Sequence, residues 1–356
     1  MLARKASSML SEKLDVTLTV DQFRLTSFNR VSLRNVSLVA PGNDTLASFS
    51  RLAAGVRIIP LLKDEIHVSR IRLNDPQVNL VKQREDSILN IVSVFRQDRE
   101  RKPGPSGSPS PYPIHFGNLK INRLHFQLRD EVAETSLFLS LDQFEVEPDS
   151  IDIQHKKLTF HHVGIHQLVL ETGYLSGYKP SDKDTAGMDT SSQNSFPDGF
   201  PWDIGIGELE LKENRLLLAG KPGQEKGSAG AKAFSLKELS AVVQELHVSK
   251  GKANAHFQGV HALIDEIHRI DDLHLVAEMT GNSISLQDFK LLAQGARIEM
   301  NAGIQYPALS RLADPASETR FKLDLHASAG REVLTEYLSG SLPLEAYPSA
   351  QLQTMV

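Results

Sequence analysis

The chain of 356 residues contains no cysteine. That absence removes disulfide scaffolds, thiolate zinc sites, iron–sulfur clusters and cysteine nucleophiles together. It leaves the compartment open, because a cysteine-free chain suits an oxidising space and a reducing one alike. Aromatic residues make up only 6% of the chain, with a single Trp, so a densely aromatic core is not expected. No stretch approaches the ~20 apolar residues that span a bilayer as a helix. The densest run, Ile58, Ile59, Pro60, Leu61 and Leu62, is short and broken by proline. A basic block is missing too: 39 Lys and Arg stand against 44 Asp and Glu, for a net charge of −5 and a pI near 6.2. Nucleic-acid binders need clustered cations to displace counterions, so no nucleic-acid partner is expected. The remainder is ordinary for a folded chain, 40% hydrophobic and 23% charged, with a mean hydropathy of −0.25.

The motifs of catalysis are equally scarce. No G-x-S-x-G elbow occurs, and Gly227, Ser228, Ala229 and Gly230 lack its spacing. Gly205 and Gly207 lack the third glycine of a dinucleotide turn, and no Walker loop, H-E-x-x-H or calcium loop is present. The densest histidine group is His161, His162 and His166, with His155 nearby. Adjacent residues of a strand point to opposite faces, so His161 and His162 cannot grip one ion; solvent-facing histidines are the simpler reading. Asp and Glu are scattered over polar positions, as solvated charges are. No catalytic, cofactor-binding or metal-binding residue is assigned, no cofactor is expected, and the chain reads as a non-enzyme.

What the sequence has in abundance is alternation. Leu14, Val16, Leu18 and Val20 alternate with polar residues, and Val31 and Leu33 are followed by Val36 and Leu38, a one-residue slip at Asn35 that marks a bulge. Ala54, Val56 and Ile58 continue the rhythm, as do Val68, Ile71 and Leu73, with turn signals between the runs. Two short helices are expected. Residues 1–14 carry Leu2, Ala6, Met9 and Leu10 at helical spacing with Arg4, Lys5 and Lys13 opposite, and a second helix falls near 87–97 around Ile88, Ile91, Val92 and Phe95. The first suits either a core cap or a helix lying at a lipid headgroup layer. The expected organisation is a β-region over 15–100, a Pro/Gly/Ser linker over 101–111, a strand block over 112–174, a disordered loop over 175–199, a second block over 200–265 and further strands over 266–356, cut mid-element.

The two blocks repeat. Leu209 and Leu211 stand 90 residues after Leu119 and Ile121; Phe234 to Leu239 and Val260 to Leu263 stand 95 after Leu139 to Phe144 and Ile165 to Leu168. A long period of this kind indicates a stacked β array. Strand after strand offers a Leu/Ile/Val/Phe face while helices to cover it are nearly missing, so the face must meet a second sheet, itself or a ligand. An elongated antiparallel sheet curled around its own apolar face would make a groove for acyl chains. The groove-facing candidates are Val16, Leu18, Val20, Leu33, Val56, Ile58, Val68, Leu73, Phe116, Ile121, Leu209 and Leu211.

From Phe23 to Phe95 the chain resembles the N-terminal region of the TamB/AsmA-like translocation and assembly proteins, in their Bacteroidetes-type form. The resemblance rests on Val31 to Leu38, Gly42 to Leu46, Val56 to Leu62, Ile66 to Leu73 and Leu89 to Ile91, in that order, and more loosely on Trp202 to Ile204 and Ser283 to Leu292. It implies a repeating β-groove protein of the periplasm, anchored in the inner membrane by a segment upstream of this chain, that serves outer-membrane biogenesis. Its implied partners are phospholipid acyl chains and an outer-membrane β-barrel reached through parts outside this sequence. The first alternative is a scaffold or chaperone that pairs with nascent outer-membrane strands through a sheet edge. The second, a carbohydrate enzyme on a β-solenoid, lacks the carboxylate cluster it needs.

Overall fold

A computed structural model of the chain describes residues 17–26, 29–40, 45–57, 66–84, 89–91, 114–175, 200–219, 233–307, 320–330 and 349–355. These residues form a mixed sheet of 18 strands. The chain divides into two compact units, Met1–Pro148 with Gly164–Ser181 and Arg215–Phe234, and Asp149–Val163 with Asp182–Asn214 and Ser235–Val356.

The first unit begins with β1 (Thr17–Thr26), β2 (Arg30–Val39) and β3 (Thr45–Arg57), an antiparallel meander. β4 (Ile66–Asn74) and β5 (Gln77–Lys82) follow along β3 as one strand broken at Asp75 and Pro76. β6 (Ile114–Asp130) then lies parallel to both pieces at a constant offset, Ile66 beside Ile114 and Gln77 beside His125. β7 (Thr135–Asp152) returns antiparallel on β6. β8 (Lys157–His166) and β9 (Val169–Tyr174) repeat the broken strand, and β10 (Asp203–Leu218) runs parallel to β9 with Val169 beside Arg215. The sheet is therefore mixed where alternation alone suggested an antiparallel one. Period two reports which residues share a face, whereas strand polarity depends on which end of the sheet a connection returns to.

In the second unit β11 (Phe234–Ser249), β12 (Lys252–Ile264), β13 (His268–Ile270), β14 (Asp272–Thr280), β15 (Ser283–Ala293), β16 (Ala296–Gln305), β17 (Arg320–Gly330) and β18 (Ser349–Met355) form an antiparallel meander. Tight turns set its register. Gln294 and Gly295 both take positive φ, 48° and 80°, as a two-residue hairpin between paired Ala293 and Ala296 requires. In the first unit, Asp130 closes the β6–β7 turn by accepting the N–H groups of Val132 and Ala133 at 2.9 and 2.8 Å.

The segments matched at offsets of 90 and 95 fall on β6 and β10, on β7 and β11, and at the end of β8 and within β12. The helix expected over 1–14 lies outside the described residues. Of the helix expected near 87–97 only 89–91 are described, and there Leu89 forms an isolated bridge with Lys82. No helix is among the 18 elements, and among the described residues none is long and apolar enough to cross a membrane.

Candidate functional site

Strand pairing turns the alternation into rows. In the first unit Leu25, Val31, Ala54, Ile71, Leu119 and Val146 are register partners across six strands. The next row is Phe23, Leu33, Leu52, Leu73, Ile121 and Phe144. Further along the strands runs a third, Leu18, Leu38, Ala47, Val78, Phe126, Leu139, Leu170 and Leu216. The second unit has equivalents. Val248, Ala253, Met279, Ile284, Ile304 and Phe321 form one row, and Ala255, Ala277, Leu286, Ala302 and Leu323 another.

Between the apolar rows of the first unit lies a polar seam. Asp21, Asn35, Ser50, Asp75, Arg123 and Asp142 fall in gaps of their ladders, and Asn35, Asp75 and Arg123 take positive φ of 47°, 51° and 55°. The seam is bonded internally. Asn35 Nδ2 donates to Asp21 at 3.0 Å, Ser50 Oγ to Asp75 at 2.5 Å, and Arg123 Nε to Asp75 at 2.6 Å. A left-handed residue turns the strand about its axis, so apolar residues three apart, such as Leu33 and Val36 or Ile121 and Leu124, share a face on either side of it. The slip read at Asn35 is thus one member of a row. In the second unit Asp288 (φ 50°) has the same role, its N–H held by Asn301 Oδ1 at 3.0 Å.

The side chains of the apolar rows are only partly buried. Among the described residues 11 apolar side chains are buried, four of them alanines, and the buried cluster that forms is Ala40 with Leu46, backed by Leu38. Ala255 apart, the row members whose side chains are described sit half-exposed, and Phe23 (41%) and Leu25 (59%) are exposed outright. A covered sheet of this composition would bury most of these side chains.

Of the groove-facing candidates, Leu33, Leu73 and Ile121 share one row, and Val56, Val68 and Phe116 are partners in another. Leu18 and Val20 lie on β1, paired with Leu38 and Val36. Leu209 and Leu211 lie on β10 in the second unit and are half-buried. Val16 and Ile58 lie outside the described residues.

Two glycines show how closely the parallel strands approach. A Cβ on Gly117 would lie 2.2 Å from the Ser69 carbonyl oxygen, and one on Gly207 would lie 2.9 Å from that of His161. Ser69 is skipped between the pairs Gly55 with Arg70 and Val56 with Val68, so its backbone bulges toward β6.

The histidines are dispersed. In the second unit six of them each face one carboxylate: His155 with Asp152 (2.6 Å), His162 with Glu208 (3.3 Å), His247 with Asp203 (2.7 Å), His256 with Glu245 (3.5 Å), His274 with Asp272 (2.9 Å) and His326 with Asp324 (3.5 Å). His161 is exposed and its neighbour His162 half-buried. Among the described residues no group of three His, Asp or Glu side chains is placed to hold a metal ion.

Sequence reasoning missed a second surface. The strands β1 to β4 hold seven arginines, no lysine and one carboxylate, Asp21. Each strand contributes only one or two of them, so no run of basic residues signals the group. The chain matches no protein-family model and no curated protein.

Proposed function

We propose that the apolar rows line a groove that carries or shields phospholipid acyl chains, in a non-enzymatic segment of a periplasmic protein serving outer-membrane biogenesis between the inner and outer membranes. One observation carries the reading: apolar rows, rich in Leu, Ile, Val and Phe in the first unit and in Ala, Ile and Leu in the second, run across at least five strands of each unit, and most of their members stay half-exposed. Acyl chains need an apolar lining without directional bonds, and continuous rows supply that. The polar seam supports curling of the sheet about this face, since left-handed kinks at Asn35, Asp75 and Arg123 bend β2, the β4–β5 strand and β6 at the same level. The compartment, the upstream inner-membrane anchor and a barrel partner rest on the family resemblance alone.

The test is lipid extraction and native mass spectrometry on the purified chain, with photo-crosslinkers at Leu33, Leu73, Ile121 and Leu139. Phospholipid crosslinked at these positions, and not at polar Gln127, is the expected result. Crosslinking that does not distinguish the two faces overturns it. On the scaffold reading the protein acts through a sheet edge, where backbone groups pair with an incoming strand. On that reading a proline in β1 harms function more than a charge in the apolar rows.

A further inference from the structure

We propose that the polar face of β2, β3 and β4 is a docking surface for the phosphate headgroups of an anionic lipid bilayer. The inference goes beyond the acyl-chain reading and does not rest on it, because it concerns the opposite face of the strands. Arg30, Arg51, Arg70 and Arg72 surround a shallow depression of about 350 Å³ floored by Ala53, Gly55 and Ser69. Register explains the gathering. Gly55 pairs with both Arg30 and Arg70, Ala53 pairs with Arg72, and Arg34 sits directly opposite Arg51. These positions alternate with Val31, Leu33, Leu52, Ile71 and Leu73, so apolar and cationic side chains leave the same strands from opposite faces.

The small floor residues let several guanidinium groups converge on one space. Glycine at 55 keeps this floor low, since a Cβ there would meet Ser69 Oγ at 2.7 Å and push that hydroxyl aside. All five arginines are exposed, and none has a carboxylate partner among the described residues. The acids around the patch are already engaged: Asp21 by Asn35, Asp75 by Ser50 and Arg123, and Glu145 and Glu147 on β7 by Lys120 at 3.1 Å and Asn118 at 3.0 Å. Like charges directly opposite in a sheet are destabilising, so the Arg34 and Arg51 pair works against the fold unless an anion lies over it. Guanidinium is also the side chain whose planar fork matches phosphate.

A lipid surface fits this patch better than a polynucleotide. Three strands and four residues of rise give roughly 10 Å by 13 Å, well short of one duplex turn of about 34 Å. Among the described residues this face presents Gln22 and Ala53 beside the arginines and no Phe, Tyr or Trp ring on which bases could stack.

The experiment is co-sedimentation of the full chain with phosphatidylcholine vesicles with and without phosphatidylglycerol, for the native chain, Arg51→Gln/Arg70→Gln/Arg72→Gln, and Lys252→Gln/Lys290→Gln/Lys322→Gln. The two variants lose the same charge from different units. Binding is expected to require phosphatidylglycerol and to weaken with salt. It is expected to fall more than tenfold in the arginine variant alone, a basic side chain near an anionic leaflet being worth roughly fivefold. Circular dichroism checks that the arginine variant keeps its sheet; a second variant, Arg34→Gln/Arg51→Gln, removes the repulsive pair and is expected to fold at least as well while binding less. Equal losses in the arginine and lysine triples, or equal binding to both vesicles, overturn the proposal. So does release by inorganic phosphate at matched ionic strength, which would mark an isolated anion site, or arginine-dependent binding of an oligonucleotide in preference to vesicles. Acyl-chain crosslinking on the other face reads out independently, so either reading can fail alone.

Discussion

Arg123 of β6 donates its Nε–H to the carboxylate of Asp75 at 2.6 Å, and both residues hold left-handed backbone, φ 55° and 51°. Neither is glycine, and each pays a conformational cost to sit there. Their side chains are joined only because both strands kink at the same register, in a seam that continues through Ser50 and Asn35 to Asp21. The seam is where local strain and global pairing meet: it interrupts the alternation and keeps the apolar residues together.

Stability is expected to depend on Asp75 in acid. The hydrogen bond from Arg123, then that from Ser50, holds its carboxyl below the ordinary 3.8 against a small opposing effect of burial. A depressed folded pKa means the contribution is complete above about pH 3.8 and disappears as pH falls through the folded value. Asp75 is 37% exposed, so screening limits the effect to about 1 kcal/mol or less. Urea titrations of the native chain and Asp75→Asn are expected to differ at neutral pH and converge below pH 3.8; parallel curves at every pH would show that the pair contributes nothing.

Close approach at the parallel strands is testable with single methyl groups. Gly117→Ala places a Cβ 2.2 Å from a backbone oxygen and is expected to cost about 1–3 kcal/mol in thermal or urea unfolding. Gly303, whose Cβ would meet nothing within 4 Å, is the control, and Gly303→Ala is expected to be neutral or stabilising. Equal losses at both sites would refute the packing at Ser69.

The small extent of the buried core predicts uneven costs for leucine truncation. Leu46 is 1% exposed against Ala40, and Leu46→Ala is expected to lose about 2–4 kcal/mol. Leu25 is 59% exposed on the apolar face, and Leu25→Ala is expected to stay within about 0.5 kcal/mol. A large loss at Leu25, measured by chemical denaturation of lipid-free protein, would mean that something already covers this row.

Charge placed on a row separates lining from folding. Ile121→Asp and Leu139→Asp are expected to remain soluble and β-rich by circular dichroism while copurifying less phospholipid. Gln127→Asp, next to Phe126 but exposed on the other side, is expected to copurify the native amount. Unchanged lipid in all three variants would sink the acyl-chain reading.

Much of this was legible in the sequence, for a physical reason. Alternation reports which residues share a sheet face, and it placed Leu33, Leu73 and Ile121 well enough for pairing to bring them into one row. The slip at Asn35 was visible because it changes the parity of Val31, Leu33, Val36 and Leu38. Its companions at Ser50 and Arg123 have the same parity change but are recognised as one seam only after register aligns them. Parallel pairing of β4 and β5 with β6 left no trace, since period two is the same for both polarities. The arginine face was hidden differently: Arg30, Arg51 and Arg70 lie 19 to 40 residues apart in the chain and adjacent only across the ladder.

The parallel return of β6 alongside β4 and β5 sets a minimum tether. To pair Ile66 with Ile114 the chain must leave Lys82 at one end of a 17-residue span and come back to the other. At 3.3–3.6 Å per extended residue, that journey needs about as many residues as the span itself, roughly 17. The 31 residues between Lys82 and Ile114, and the 28 between Tyr174 and Asp203, clear that bound with room to spare. Insertions between Ile91 and Ile114 or between Leu175 and Phe200 are therefore expected to leave the parallel pairings in reach, whereas a deletion that takes the tether below its reach reverses the polarity of the next strand or unpairs it.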